Sequence, residues 1–161
     1  MNSLMNSSHK LLKENVFVKK QRMILLQQNN TNNVFLTLSD SVTLTATPIY
    51  YLFRFIDTTT NNEKLFTAAD ISTNTIRYNQ FVLTLTSSTA YENLSAGTIC
   101  LAPEGKWEYE VYQQLYQYNL SLTGVVGDPI EYGYIKLSGT PNTIINSYYS
   151  GSTTTYTYYQ P

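Results

Sequence analysis

The sequence predicts an all-β protein, specifically an antiparallel β-sandwich, and two observations carry this prediction. Of its 161 residues 42% are hydrophobic but only 13% are charged, where about 25% charged residues is usual. The polarity comes instead from 22 threonines and 15 asparagines, and 15 tyrosines dominate the aromatic residues. Threonine and tyrosine favour the pleated, half-buried surface of a sheet. The second observation is a series of short apolar or alternating segments separated by turn residues, which is typical of a sandwich.

The first half of the chain contains four of these segments. IYYLFRFID (49–57) is the most apolar run, and its length and its β-branched and aromatic content predict a buried central strand rather than a helix. VFLTL (34–38) alternates in the manner of a strand with one buried face, and the polar runs at 29–33 and 58–63 predict turns. The predicted strands are residues 23–27, 34–38, 42–45 and 49–57.

The second half continues the same pattern. KLFTAAD supplies a returning strand, and YNQFVLTLT alternates with Phe81, Leu83 and Leu85 against Val82 and Thr84. Pro103 to Gly105 predicts a turn before the longest segment, and Gly127 to Pro129 predicts another before the last. Two stretches, 9–22 and 87–94, have weak helical patterns. The predicted strands are residues 64–70, 78–86, 98–102, 106–118 and 130–137.

The segment KWEYEVY (106–112) contains the single tryptophan and two carboxylates. A period of two places Trp107, Tyr109 and Val111 on one face, and Glu108, Glu110 and Tyr112 on the other. The first face is predicted to be core. A glycosidase needs two acids facing each other across about 5–10 Å, which two neighbours on one open strand do not provide. The predicted core stripes are Val34/Leu36/Leu38, Tyr51/Phe53/Phe55, Phe81/Leu83/Leu85 and Trp107/Tyr109/Val111.

The residue inventory argues against an enzyme. The single cysteine, Cys100, excludes a disulfide within the chain, and a His/Cys metal site lacks ligands because His9 is the only histidine. The glycines do not have the spacing of a phosphate-binding loop. We therefore expect no catalytic residues, no metal and no cofactor. No run approaches the ~18 apolar residues of a membrane span, and the charged N-terminus lacks the apolar centre of a signal peptide.

Charge divides the chain into an arm, a body and a tail, predicted at 1–22, 23–138 and 139–161. The arm carries five basic residues against Glu14, a net of +4, and the remainder has five basic and ten acidic residues, a net of −5. A basic arm on an acidic body indicates docking onto an acidic protein surface or weak phosphate contact; a solvated leader is the alternative. We expect no specific nucleic-acid binding. The candidate partner-binding residues of the arm are Lys10, Lys13, Lys19, Lys20 and Arg22.

The C-terminal segment alternates threonine and tyrosine without a strong apolar face. A strand of this kind needs a partner edge for its backbone groups, so we expect it to pair with its own sheet or with a neighbouring subunit. Tyrosine is enriched in protein–protein contacts, and it can also stack on sugar rings; the interface is the favoured interpretation. The candidate partner-binding residues of the tail are Tyr148, Tyr149, Tyr156, Tyr158 and Tyr159.

Five motifs over roughly residues 23–137 resemble a known group of proteins. They are NNVFLTLSDSVTLTATPIYYLFRFID, EKLFTAADIS, RYNQFVLTLT, GKWEYEVYQQ and IEYGYIKL. In this order they resemble small β-sandwich structural proteins of tailed phages of Bacteroidetes, including crAss-like phages. The layout is also similar to the immunoglobulin-like N-terminal domain of some siphophage baseplate proteins. The basic arm departs from that pattern, which leaves open whether anchoring uses the arm or the sandwich.

The resemblance implies an immunoglobulin-like sandwich that acts as a non-enzymatic virion component. The expected role is a capsid-associated auxiliary (decoration) or head-fibre protein, made in the host cytoplasm and located in the virion. Its partners would be other virion proteins such as capsid subunits, or further copies of itself, with no membrane involved. A tail or baseplate component and a carbohydrate-binding adhesion module are the alternatives.

Overall fold

The computed structural model of the protein describes residues 22–139, which form two packed β-sheets. Eight strands make up these sheets, and two single 3₁₀ turns, Thr89–Tyr91 and Leu122–Gly124, interrupt the loops. The strands are β1 (Arg22–Gln27), β2 (Thr31–Leu36), β3 (Tyr50–Asp57), β4 (Glu63–Thr67), β5 (Asn79–Thr86), β6 (Thr98–Cys100), β7 (Gly105–Gln114) and β8 (Glu131–Ser138).

The strand order confirms the predicted all-β sandwich. One sheet has the order β1-β8-β7-β3-β4 and the other β2-β5-β6. The sheets are not wholly antiparallel as expected, because β1 runs parallel to β8 and β6 parallel to β5. An alternating pattern predicts which face of a strand is buried, but not its neighbours.

The core between the sheets contains all four predicted stripes. Each of their residues is buried, from Tyr51 at 7% exposure to several at 0%. The centre is aromatic: the ring of Phe53 lies 5.2 Å from that of Phe66 and 4.9 Å from that of Phe81. Offset and edge-to-face ring contacts at such distances stabilise a core beyond the burial of their area. The sheets are therefore joined by side chains that the period-two pattern identified.

Three predictions of element type were wrong, and the strands predicted at 64–70, 98–102 and 106–118 end earlier, at Thr67, Cys100 and Gln114. Residues 42–45 form no strand, because the N–H groups of Thr43 and Leu44 donate to Oε1 of Gln113 instead of to a neighbouring strand. The segment 29–33 is only partly a turn, since β2 begins at Thr31. The helical pattern at 87–94 yields one 3₁₀ turn. The other helical candidate, 9–22, lies outside the described residues except for Arg22, which belongs to a strand.

The two ends of the sandwich carry different parts of the chain. We call the end with Arg22, Tyr50, Gln114 and Glu131 the loop pole, because β1, β3 and β8 begin there and β4 and β7 end there. The opposite end, with Ser138, is the tail pole. Eight residues of β8 separate the poles by about 23 Å, at about 3.3 Å per residue. The chain enters β1 at the loop pole and leaves β8 at the tail pole.

Candidate functional site

Strand β1 forms an open edge of the five-stranded sheet. The N–H of Gln28 donates to the carbonyl of Ser138 (2.9 Å), so even-numbered residues of β1 direct their backbone groups toward β8. Met23, Leu25 and Gln27 consequently direct theirs outward. The side chain of Asn32 bonds both outward groups of Gln27, at 2.9 Å to its N–H and 3.1 Å to its carbonyl. Residues 22–139 offer no such partner to Met23 or Leu25.

The same strand exposes apolar side chains on the outer face of the sheet. Met23 is 64% and Leu25 70% exposed, while their neighbours Ile24 and Leu26 pack into the core. Met23 lies beside Tyr134 of β8, over whose ring the Lys106 Nζ sits at 3.5 Å. An edge that combines outward backbone groups with exposed apolar side chains is a template for another strand. The β1 edge therefore has the chemistry of a pairing site.

Farther along the outer face lie Glu108 and Glu110, which were both predicted to be solvated, but only one of them is exposed. Glu108 is exposed, but Glu110 accepts from Arg54 Nη1 (3.1 Å) and from the Tyr112 hydroxyl (2.7 Å). Arg54 also reaches Glu63 of β4 at 2.7 Å. Tyr112, predicted on the solvated face, is buried, and that burial, with the Glu110 carboxylate, raises the pKa of its hydroxyl. Glu110 is thus part of an ion-pair network across three strands.

A charged cleft at the loop pole, the Arg22 cleft, lies where the arm meets the sandwich. Arg22 donates to the Thr37 hydroxyl (3.0 Å) and pairs with Glu131 at 3.6 Å. The Tyr109 hydroxyl donates to the same Glu131 oxygen (3.2 Å). Burial raises the pKa of Glu131, although Arg22 and Tyr109 act in the opposite direction. The Glu131 side chain is only 13% exposed, so this carboxylate acts mainly as an internal tie between β1, β7 and β8.

The cavity of the Arg22 cleft has a volume of about 500 Å³. Asp128 and Tyr132 line it from the β7–β8 loop and β8, and Ser41 and Thr43 from the β2–β3 loop. Gln113 holds the two loops together by accepting from the Thr43 N–H (3.0 Å) and donating to the Val126 carbonyl (3.3 Å). The result is a polar recess of fixed loops beside the base of the arm.

A second cleft at the loop pole, the Tyr118 cleft, has a volume of about 610 Å³. Tyr118, which is 67% exposed, and Tyr50 supply aromatic surface, and Asp70, Asn93 and Ser95 also line the cleft. Cavities of this size, apolar with a few polar groups, are typical of small-ligand sites.

Asp70 helps to fix the loops around the Tyr118 cleft. Its carboxylate accepts from the Ser72 N–H (2.9 Å), the Gln80 N–H (3.1 Å) and the Asn79 side chain (2.6 Å). Burial raises the pKa of Asp70, but the hydrogen bonds outweigh burial and hold that pKa below its ordinary value. Asn79 in turn accepts from the Leu38 N–H (3.0 Å). The carboxylate is therefore occupied structurally rather than free for a ligand.

Of the ten predicted partner-binding residues, the structure places only Arg22, at the start of β1 and in the wall of the Arg22 cleft. Lys10, Lys13, Lys19, Lys20 and the five tail tyrosines lie outside the described residues. Met23, Leu25 and Glu131 were not among the site residues predicted from the sequence. The alternation in MILLQ could have indicated that Met23 and Leu25 point outward. No pattern in the sequence around Glu131 indicates that this carboxylate is half-buried.

Two further findings concern the described part of the chain. Within residues 22–139 there is no group of three or more His, Cys, Asp or Glu side chains placed to hold a metal ion. In the same residues there is no helix with the length and apolar character to cross a membrane.

Comparison with known proteins yields little. No family model matches the chain, and no curated protein matches it. Among solved structures, it is similar to a crystal structure of a protein from Bacteroides vulgatus, provisionally named a glycoside hydrolase, with a TM-score of 0.38 and 10% identity. The match covers 74% of this chain but 17% of that one. A likeness at this level carries no argument about activity.

Proposed function

We propose that the chain is a non-enzymatic structural component of a tailed-phage virion, a capsid-associated auxiliary (decoration) or head-fibre protein. In this role the sandwich is a rigid spacer, and the arm, the tail and the sheet edges bind neighbouring virion subunits. A tail or baseplate location is the alternative within the same class. The motifs that resemble phage β-sandwich proteins support the proposal, and so does the scarcity of charge.

The observation that supports the proposal is that residues 22–139 begin and end at opposite poles of the sandwich. The basic segment is joined to Arg22 at the loop pole and the uncharged Tyr/Thr segment is joined to residue 139 at the tail pole, about 23 Å away. Opposite exits let one subunit contact two neighbours at once, as a bridging protein requires. Two contacts on one rigid body also strengthen attachment, because the second forms at a high effective concentration.

Removal of either terminal segment tests this role. Deletion of residues 1–21 leaves Arg22 and the whole of β1, and deletion of 140–161 leaves the whole of β8. We expect both truncated proteins to fold, with circular dichroism and thermal melting near those of the full chain, but to be lost from purified particles. The matched control is the full chain supplied from the same plasmid. Stoichiometric incorporation of both truncated proteins would contradict the proposal.

A carbohydrate-binding adhesion module is a second candidate, and the Tyr118 cleft is what favours it. An exposed aromatic ring beside polar side chains is suited to stacking on a sugar and bonding its hydroxyls. This cleft, rather than the tail tyrosines, is the described surface on which such binding is testable. Trp107 is a poor reporter because it is buried near the tail pole.

A glycan array separates the two candidates. If the chain is an adhesin, monomeric protein binds host polysaccharides saturably, and Tyr118→Ala weakens that binding about fivefold or more, since truncation of an aromatic anchor in a binding site costs on the order of 1 kcal/mol or more. Tyr91→Ala, an equally exposed tyrosine outside the cleft, is the control. Absence of binding by the wild-type protein removes the adhesion candidate.

A further inference from the structure

We propose that the open edge of β1 is an acceptor site for the C-terminal segment, residues 140–161, of a second copy of this chain. This inference rests on the proposed assembly role and specifies one of its contacts. The donated segment would extend the five-stranded sheet by a sixth strand, in the manner of β-strand addition. The copies would then join head to tail.

The geometry of the edge defines where the donated strand fits. Outward backbone groups at Met23 and Leu25 supply N–H donors and carbonyl acceptors, while Asn32 already occupies those of Gln27. The acceptor therefore extends from Leu25 toward the loop pole. Beside it, the exposed Met23 and Leu25 side chains offer an apolar surface for the side chains of the incoming strand.

The composition of the donor segment suits this edge. Its 22 residues include no charged side chain, and 13 of them are threonine, tyrosine or isoleucine, which are strand-forming residues. Alternate tyrosines of such a strand would lie against Met23 and Leu25. Fully extended, 22 residues reach about 70 Å, which is enough to cross to a neighbouring sandwich and pair along its edge.

The direction of exit favours a neighbouring copy over the same chain. Residue 139 leaves β8 at the tail pole, next to the end of β1 that Asn32 blocks. A segment that continued in the direction of β8 would move away from its own Met23 and Leu25, and pairing within one chain would require it to reverse direction. The same course would lead toward the loop pole of a copy placed beyond the tail pole, where the acceptor groups of that copy lie.

Two full-length variants test the proposal by complementation. Leu25→Pro removes an outward N–H without touching the ladder to β8, and proline is tolerated at such edge positions; Leu25→Ala loses the same apolar side chain but keeps the donor, so it measures the side-chain contribution alone. The second variant, I145P/Y149P/Y156P/Y158P, cannot donate a strand. We expect wild type to form oligomers by light scattering at micromolar concentration, Leu25→Ala to form them more weakly, and each proline variant alone to be monomeric.

The decisive result is the mixture of the two proline variants. The Leu25→Pro protein retains a tail and the other retains an edge, so we expect a 1:1 complex with twice the mass of one chain. A mixture that stays monomeric, a wild-type monomer, or a tail variant that still assembles would overturn the proposal; the last outcome indicates direct pairing of two β1 edges.

If Leu25→Pro fails to fold, which loss of near-ultraviolet circular dichroism would show, amide hydrogen exchange in wild-type oligomers tests the proposal instead. Slow exchange within 140–161 supports strand donation and free exchange overturns it. Particle incorporation of wild type is measured separately, so failure of this contact and failure of the virion role are distinguishable.

Discussion

Gly133 lies where β1, β8 and the ring of Tyr109 meet. A Cβ at this position would overlap the Arg22 carbonyl and come within 2.9 Å of Tyr109 Cε1. Backbone and a buried ring cannot move aside as a flexible side chain can. The close approach of β1 to the sheet, and with it the position of the Arg22 cleft, therefore depends on a residue without a side chain.

We expect Gly133→Ala to lower the free energy of unfolding by about 1–3 kcal/mol, the usual cost of overpacking. Urea titration followed by Trp107 fluorescence measures it. Gly139→Ala is the control, because there the nearest group is the exposed Glu104 side chain, which can swing away. Equal stability of wild type and Gly133→Ala would show that β1 packs less closely than described.

The burial of the Glu131 carboxylate should make the free energy of unfolding depend on pH. Burial raises its pKa in the folded state, so the folded protein binds this proton more tightly than the unfolded chain does. Ionisation of Glu131 therefore costs stability above its folded pKa, and that cost disappears as the pH falls below its unfolded pKa.

The matched variant is Glu131→Gln, which resembles the protonated acid and still accepts a hydrogen bond. We expect it to be more stable than wild type at pH 7–8, with the difference vanishing toward low pH, measured by urea unfolding at several pH values. A variant less stable than wild type at neutral pH would mean that the ion pair with Arg22 outweighs burial.

At the scale of elements, buried polar side chains decide what the loops do. Gln113 and Asn79 are each 2% exposed, and both bond backbone groups that have no strand partner. The Gln113 side chain accepts the N–H hydrogen bonds of Thr43 and Leu44 that a neighbouring strand would otherwise accept. The alternating segment 42–45 is therefore not a strand, although Val42 still packs on the core. Strand propensity and periodicity describe neighbouring residues only, so they cannot predict a hydrogen bond to the side-chain amide of Gln113, which lies far away in the sequence.

Asn79→Ala should destabilise the protein by about 1–3 kcal/mol, because the Leu38 N–H and the Asp70 carboxylate each lose a buried partner. Thermal unfolding at pH 7 measures the loss. Gln80→Ala is the control: its side chain makes one 3.3 Å contact with Asn33 at the surface, and its backbone bond to Asp70 remains. A similar loss in both variants would contradict a specific role for the Asn79 bridge.

Most strands and the buried face of each were predicted from the sequence, because apolar side chains at every second residue form one face that is removed from water only by packing against a second sheet. It could not predict which strands are neighbours: the parallel β1–β8 pair joins residues more than 100 positions apart, and its closeness depends on Gly133. For the candidate site, Arg22 was identified from charge alone. Its contacts with Thr37 and Glu131 arise from packing that no local pattern encodes.

In the whole molecule, the residues that hold the fold together are different from the residues that remain exposed on the surface. Apolar and aromatic side chains between the sheets make the spacer, and the described carboxylates are largely engaged in holding strands and loops together. Among residues 22–139, the surfaces left for partners are the β1 edge and the two clefts at the loop pole. This arrangement fits the assembly role that we propose.

Electron cryo-microscopy of intact particles, combined with quantitative mass spectrometry of the same preparation, tests the virion role most directly. If the chain is a virion component, it is present in a fixed ratio to the major capsid protein and its two-sheet core fits density on the particle surface, bridging subunits from both poles. Its absence from purified particles, while it is abundant in the infected-cell lysate, would contradict the virion role.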